Sequence, residues 1–253
     1  MPKGYSIRLR LLAAAALLGC LGAAAASAAA THPDFSGVWG PYVEPGQPSV
    51  RALRARMKLP LTPTAQRKVD EYRALVTPGD DNPGKFCLGY GMPESMVFSG
   101  GYPMEIVQRP DEILIVYEAY GELRHIYFGS RVSAPGDRIP DRDGYSTGRW
   151  EGDTLVVDTT SLKEQEDQLY PHSDQAHIIE RYRLTRDAKG ERVLVDDWTL
   201  TDPSFYVTTV KAEKKWGRDP TQVFLPYECN EEGWLDHLEA LRKSKDAALP
   251  PVY

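Results

Sequence analysis

The residues of this chain that could do chemistry concentrate in one stretch, Tyr170-Pro171-His172-Ser173-Asp174-Gln175-Ala176-His177-Ile178-Ile179-Glu180. Two histidines and a glutamate so close together suggest a metal site or a proton-transfer site. The spacing argues against the metal. Residues 177–185 are rich in strand formers, and neighbours along a strand alternate between faces. His177 then lies with Ile179 and Arg181, and Glu180 with Ile178, Tyr182 and Leu184, so sharing an ion needs a bulge or a turn of helix. No H-E-x-x-H pair offers a catalytic zinc, and the expected metal content is none. Proton transfer asks less. His172 and His177 could face Glu118 and Glu180, two carboxyls expected among apolar neighbours. Burial penalises the charged form, and a raised pKa suits a general acid or base near neutral pH. The competing reading pairs each carboxylate with Arg124, Arg181 or a tyrosine, to hold strands in register.

A second match, Gly144-Tyr145-Ser146-Thr147-Gly148, has the G-x-S-x-G form of a nucleophile elbow. That elbow needs a strand before the serine and a helix after it. Here a polar segment, Pro140-Asp141-Arg142-Asp143, precedes it and a strand signal, Thr154 to Thr159, follows, so a loop is expected.

The elements that must position these groups are mostly strands. Residues 35–39, 104–108, 112–119, 123–128, 154–159, 177–185, 192–201, 206–216 and 222–226 are rich in Val, Ile, Thr and aromatics, with turn residues between them. Spacing this short predicts an antiparallel meander, and so many strands avoid exposed edges by closing. Thr62-Pro63 starts a helix running to about Val76, within a Pro- and Gly-rich arm over 40–100. Trp234, Leu235, Leu238 and Leu241 predict a closing helix over 232–245. The fold expected is all-β: an antiparallel barrel over 35–39 and 104–227, with the arm and helix before it. Tyr102, Tyr117, Arg124, Tyr182 and Trp198 are the candidate ligand-binding residues.

Composition excludes much. The chain has 253 residues, 42% hydrophobic and 26% charged, which is ordinary globular usage. Lys3, Arg8 and Arg10 precede an apolar run, Leu11 to Ala30, with small residues before Thr31. Residues 1–30 therefore read as a secretory signal peptide, with a retained anchor the alternative, and 31–253 as one domain. Without residues 1–30, 27 basic residues face 36 acidic ones, a charge of −9. So acidic a body does not attract phosphate backbones, and nucleic acid is not an expected partner. Nor is a membrane, once the signal is removed. In an oxidising compartment Cys87 and Cys229 are expected to pair, closing a long loop worth about 4–5 kcal/mol; two separately buried thiols are the alternative. No nucleotide loop or lysine motif points to a cofactor, and none is expected.

Gly37-x-Trp39 resembles the G-x-W signature of lipocalins and their relatives, and with the meander implies a lipocalin-like barrel. Tyr102 to Gln108, the string GRWEGDTLVVDT (Gly148 to Thr159), and His172-Ser173 with His177 and Glu180-Arg181 resemble a widespread family of exported bacterial proteins, many without an assigned function. That resemblance runs from about Phe35 to Glu231. It implies a periplasmic or secreted single domain and carries no common reaction. The chain departs from the family pattern at Gly129-Ser130-Arg131, at Val132 to Pro135, and at Tyr145, where a histidine is common. Two functions remain open. One is an exported enzyme, a lyase, isomerase or hydrolase, doing acid–base chemistry on an amphipathic, aromatic or terpenoid molecule in a barrel cavity. The other is a carrier that binds an apolar small molecule and leaves it unchanged.

Overall fold

Alternation of apolar and polar residues builds nine strands: β1 (Gly37–Pro41), β2 (Met104–Gln108), β3 (Glu112–Tyr117), β4 (Glu122–Tyr127), β5 (Tyr145–Glu151), β6 (Thr154–Thr160), β7 (His177–Arg186), β8 (Arg192–Thr201) and β9 (Val210–Arg218). They are seen in a computed structural model that describes residues 32–42, 44, 46, 57–75, 83–98, 101–218, 221 and 223–227. The strands follow one another around a closed barrel, β9 returning to pair with β1 through Trp39 and Arg218. Closure leaves no edge for another chain to extend.

One pair breaks the antiparallel rule. β4 and β5 run parallel and are in register over only two residue pairs, Ile126 with Ser146 and Tyr127 with Thr147. The connection over 128–144 carries the chain back to the starting end, so β5 departs in the direction of β4. A meander signal cannot report this return. Toward Leu123 the two strands are no longer paired. Gly148 leaves room for side chains at the end of β4: a Cβ there would lie 2.5 Å from the Phe128 ring.

Alternate residues face inward. Ile113, Ile115 and Tyr117 on β3, Leu155 and Val157 on β6, Ile178 on β7, and Leu194, Trp198 and Leu200 on β8 are buried, as are Trp39 and Trp216. Each large apolar side chain removed from water in this way contributes about 1.5–3 kcal/mol. Trp39 donates its indole N–H to the Phe35 carbonyl at 2.8 Å and lies between the guanidinium groups of Arg192 and Arg218. Helix α1 (Pro63–Leu75) starts behind Thr62, whose hydroxyl accepts from the Ala65 amide at 3.1 Å. It buries Ala65 and Val69, and Leu61 bridges to Tyr206. A one-turn helix, α2 (Glu94–Val97), precedes β2.

Several expected elements differ. The segment 144–148 is not a loop: Tyr145 to Gly148 open β5. The strand expected from Tyr206 begins only at Val210. The buried Asp202 carboxylate accepts amides from Ser173, Ser204 and Phe205, and so folds the segment after it into a turn. β3 stops at Tyr117, because Tyr120 adopts φ +62° in the tight turn to β4. Residues 223–226 are not a strand. The helix expected over 232–245 and Cys229, half of the expected Cys87–Cys229 bridge, lie outside the described residues. No helix among the described residues is long and apolar enough to cross a membrane.

Candidate functional site

Polar groups intrude into the barrel interior at one level. Arg124 points inward from β4 and Glu180 from β7, both buried. Two guanidinium nitrogens meet the two carboxylate oxygens, one pair at 2.9 Å. Arg124 also donates to Ser146 Oγ on β5 at 3.0 Å and Thr159 Oγ1 on β6 at 2.8 Å. The Tyr182 hydroxyl donates to Glu180 at 2.5 Å. A buried ion pair is tolerated only when its remaining donors and acceptors are engaged, and this one ties β4, β5, β6 and β7 together. The guanidinium also lies against the buried Tyr117 hydroxyl. Tyr182→Phe is expected to cost about 1.5–3 kcal/mol, read from urea denaturation, because the carboxylate loses a charge-assisted bond.

Of the candidate residues, Tyr117, Arg124, Glu180, Tyr182 and Trp198 lie on the inner face, with Glu180 engaged in the ion pair rather than free. The other candidates disperse. His177 is on the outer face of β7, donating from Nε2 to Asp158 at 3.0 Å. His172 is fully buried in the loop before β7, its Nδ1–H donating to the Tyr170 carbonyl at 3.0 Å, and burial lowers its pKa. Its Nε2 is sealed without a partner among the described residues. Glu118 lies past the end of β3, where its carboxylate accepts the Leu225 amide at 2.8 Å. Tyr102 precedes β2, exposed, edge-on to Tyr227. His172, His177, Glu118 and Glu180, the proton-transfer candidates, are therefore not brought together.

Outside the ion pair, the β4–β5 seam is unpaired toward Leu123. A cleft of about 320 Å³ lies there, with Arg124 in its lining beside His125, Tyr127, Arg138, Asp141, Asp143 and Tyr145. One wall is a continuous stack. His125 lies 5.5 Å from Tyr127, Tyr127 lies 5.1 Å from Tyr145, and the Arg138 guanidinium lies 4.7 Å over Tyr145. Glu112 fixes the His125 end, accepting from Nδ1 at 2.6 Å.

Asp143 is the group that stands out. Its Oδ1 is sealed from solvent with no hydrogen-bond partner among the described residues. Burial, and then the negative charge of Glu122, push its pKa up to about 7 against the pull of Arg124. No family model and no curated protein matches the chain. The geometry of this cleft is therefore the main ground for a function. Asp143 is held in place from both sides. Gly144 takes φ +66°, which turns the chain from Asp143 into β5, and a Cβ there would meet the Thr160 carbonyl at 2.7 Å. On the other side Arg142 donates to the carbonyls of Gly89 and Tyr90 and to Asp167. Glu122, which repels Asp143, is itself bound to the Gly91 amide and the Ser95 hydroxyl. Burial raises its pKa as well.

Sequence reasoning missed Asp143, Ser146, Thr159, Asp196 and Lys214. The last two carried a signal. Asp196 alternates with Leu194 and Trp198, and Lys214 with Ala212 and Trp216, so each falls on an apolar face. The described residues contain no cluster of three or more His, Cys, Asp or Glu side chains placed to hold a metal ion.

Proposed function

We propose that this chain is an exported enzyme acting by acid–base chemistry on a small amphipathic molecule, and that Asp143 carries the proton. The observation behind this reading is a carboxyl with a sealed, unpartnered oxygen, in a small cleft, titrating close to neutral pH. Such a group is present in both protonation states at pH 7 and can give or take a proton. A cleft of this size is at the small end of ligand pockets. The stacked wall of Tyr127 and Tyr145 suits a flat, aromatic or unsaturated body. Arg124 supplies fixed positive charge behind the cleft, held by Glu180, Ser146 and Thr159 before any ligand arrives, and that charge favours a ligand that develops an oxyanion. Lyase, isomerase and hydrolase reactions all use this pairing. His172 and His177 have no part in it. The basic start, apolar run and small residues of 1–30 support export, and the Cys87–Cys229 bridge belongs to the same reading.

The test is a thermal-shift screen of the purified protein against aromatic and terpenoid alcohols, ketones and esters. Compounds that bind are then followed by NMR with wild type, Asp143→Asn and His172→Ala. Asp143→Asn is expected to bind as wild type does and to lose about 10²–10⁴-fold in turnover, with His172→Ala close to wild type. Compounds that bind and come back unchanged from wild type would make the protein a carrier.

A further inference from the structure

Four strands around the barrel from β5, the inner face of β9 carries a lysine with no partner. Lys214 is inward by alternation with Ala212 and Trp216, and is 8% exposed. It makes no hydrogen bond or ion pair among the described residues, and its ammonium lies over the Trp216 ring at 4.5 Å. Its neighbour Lys215, on the outer face, is an ordinary contrast, paired with Glu44 and Glu213. Lysine is almost never buried unless paired, because a desolvated ammonium is costly.

The residue across the ladder does not supply the missing charge. Asp196 on β8 is the Cα partner of Lys214 and also faces inward, fully buried. Its Oδ1 accepts the Arg181 amide at 3.1 Å, and its Oδ2 is sealed without a partner. Burial, and then the charge of Glu180, hold Asp196 far above the usual carboxylate range, so it stays protonated. A neutral acid therefore stands opposite an amine that burial alone pushes down to about 8. The other ionisable groups at inner-face positions are Glu180, Tyr182 and Arg186 on β7, Glu122 and Arg124 on β4, Tyr117 on β3 and Arg192 on β8. Glu122 is bound to Gly91 and Ser95, Arg186 to the Gly190 carbonyl, and Arg192 lies over Trp39. Arg218, on β9 itself, is spent on Trp39 and the Ser36 carbonyl.

We propose that Lys214 is a carbonyl-capturing amine, a second reactive site that takes an aldehyde or ketone with an apolar body. The Nζ lone pair adds to the carbonyl carbon, forming a C–N bond and a carbinolamine. One amine hydrogen passes to the carbonyl oxygen, a proton from the Asp196 carboxyl or solvent joins it, and the oxygen leaves as water. The remaining N–H proton then returns to that acid, so the water carries away the amine's two hydrogens net. An imine remains, and the step reverses with water. Trp216 offers apolar surface beside the amine, and Asp196, its partner across the ladder, is the carboxyl we assign as the acid that dehydration requires. The proposal stands without the β4–β5 cleft.

Folded protein is treated with benzaldehyde and cyanoborohydride, which reduces any imine to a stable secondary amine, and each lysine is followed by peptide mass. Lys214 is expected to react about tenfold faster than Lys211 and Lys215 at pH 7.5, since far more of it is free base. Its rate should level off above about pH 8, while the exposed lysines continue to gain. In urea the advantage should vanish. This comparison needs no variant, so a folding defect cannot obscure it. If another lysine of the folded protein reacts faster than Lys214, the proposal is wrong.

Discussion

Replacing Arg124 by methionine is expected to cost about 3–5 kcal/mol of folding stability, because it leaves the Glu180 carboxylate buried without its counter-ion. Among the described residues no other cation is bound to Glu180, which is held by Arg124 and by the neutral hydroxyl of Tyr182. Removing both charges is a different experiment. In Arg124→Met/Glu180→Leu the interior becomes apolar at this level, and Ser146 and Thr159 keep the 2.9 Å bond between their own hydroxyls. The double variant is expected to recover most of the loss, with a coupling energy of about 2 kcal/mol or more between the two sites. The Tyr182 hydroxyl, left without an acceptor, keeps the recovery from being complete. Urea denaturation of the four proteins measures this, and additive losses would show that the pair does not act as a unit.

Asp143→Asn is expected to stabilise the protein at pH 8 and to leave it nearly unchanged at pH 4. The folded pKa of about 7 lies above the ordinary 3.8 of an aspartate. The folded protein therefore holds this proton more tightly than the unfolded chain does. That contribution is fully present below about pH 4 and is lost as the pH rises through 7, where the carboxylate must ionise while buried. Asparagine has no proton to lose. The difference between variant and wild type should grow to roughly 3 kcal/mol at pH 8, allowing for the partial exposure of the cleft. Comparing the two proteins at each pH cancels the other titrating groups. A difference independent of pH would mean that Asp143 is solvated. A residue that weakens the fold at working pH is kept for another reason, and chemistry in the cleft is the reason we assign.

Much of the barrel was legible because its information is local. Val, Ile and aromatic residues in short alternating runs mark β2, β3, β4, β6, β7 and β8, and alternation alone places His177 and Glu180 on opposite faces. Arg124 was also legible as a partner for Glu180, since both fall among apolar neighbours. What failed depends on contacts distant in sequence. β5 reads as a loop because Gly144, Ser146 and Gly148 are poor strand formers. They are there for the turn, for the Arg124 bond and for the close approach of Phe128. Asp143 reads as solvated because Pro140-Asp141-Arg142-Asp143 is polar throughout. Its surroundings come from distant segments: the 89–91 segment binds the preceding Arg142, and Glu122 on β4 lies near enough to repel it. Glu118 was placed by extending a strand two residues too far, to Ala119, into the turn that contains Tyr120.

The measurement that bears most directly on this account is the titration of the Asp143 side-chain carboxyl by carbon-13 NMR, with Asp143→Asn assigning the signal. A midpoint near 7 would establish a sheltered carboxyl poised for proton transfer at the β4–β5 seam. A midpoint near 4, the value of an aspartate in water, would contradict it and leave the cleft an ordinary surface recess.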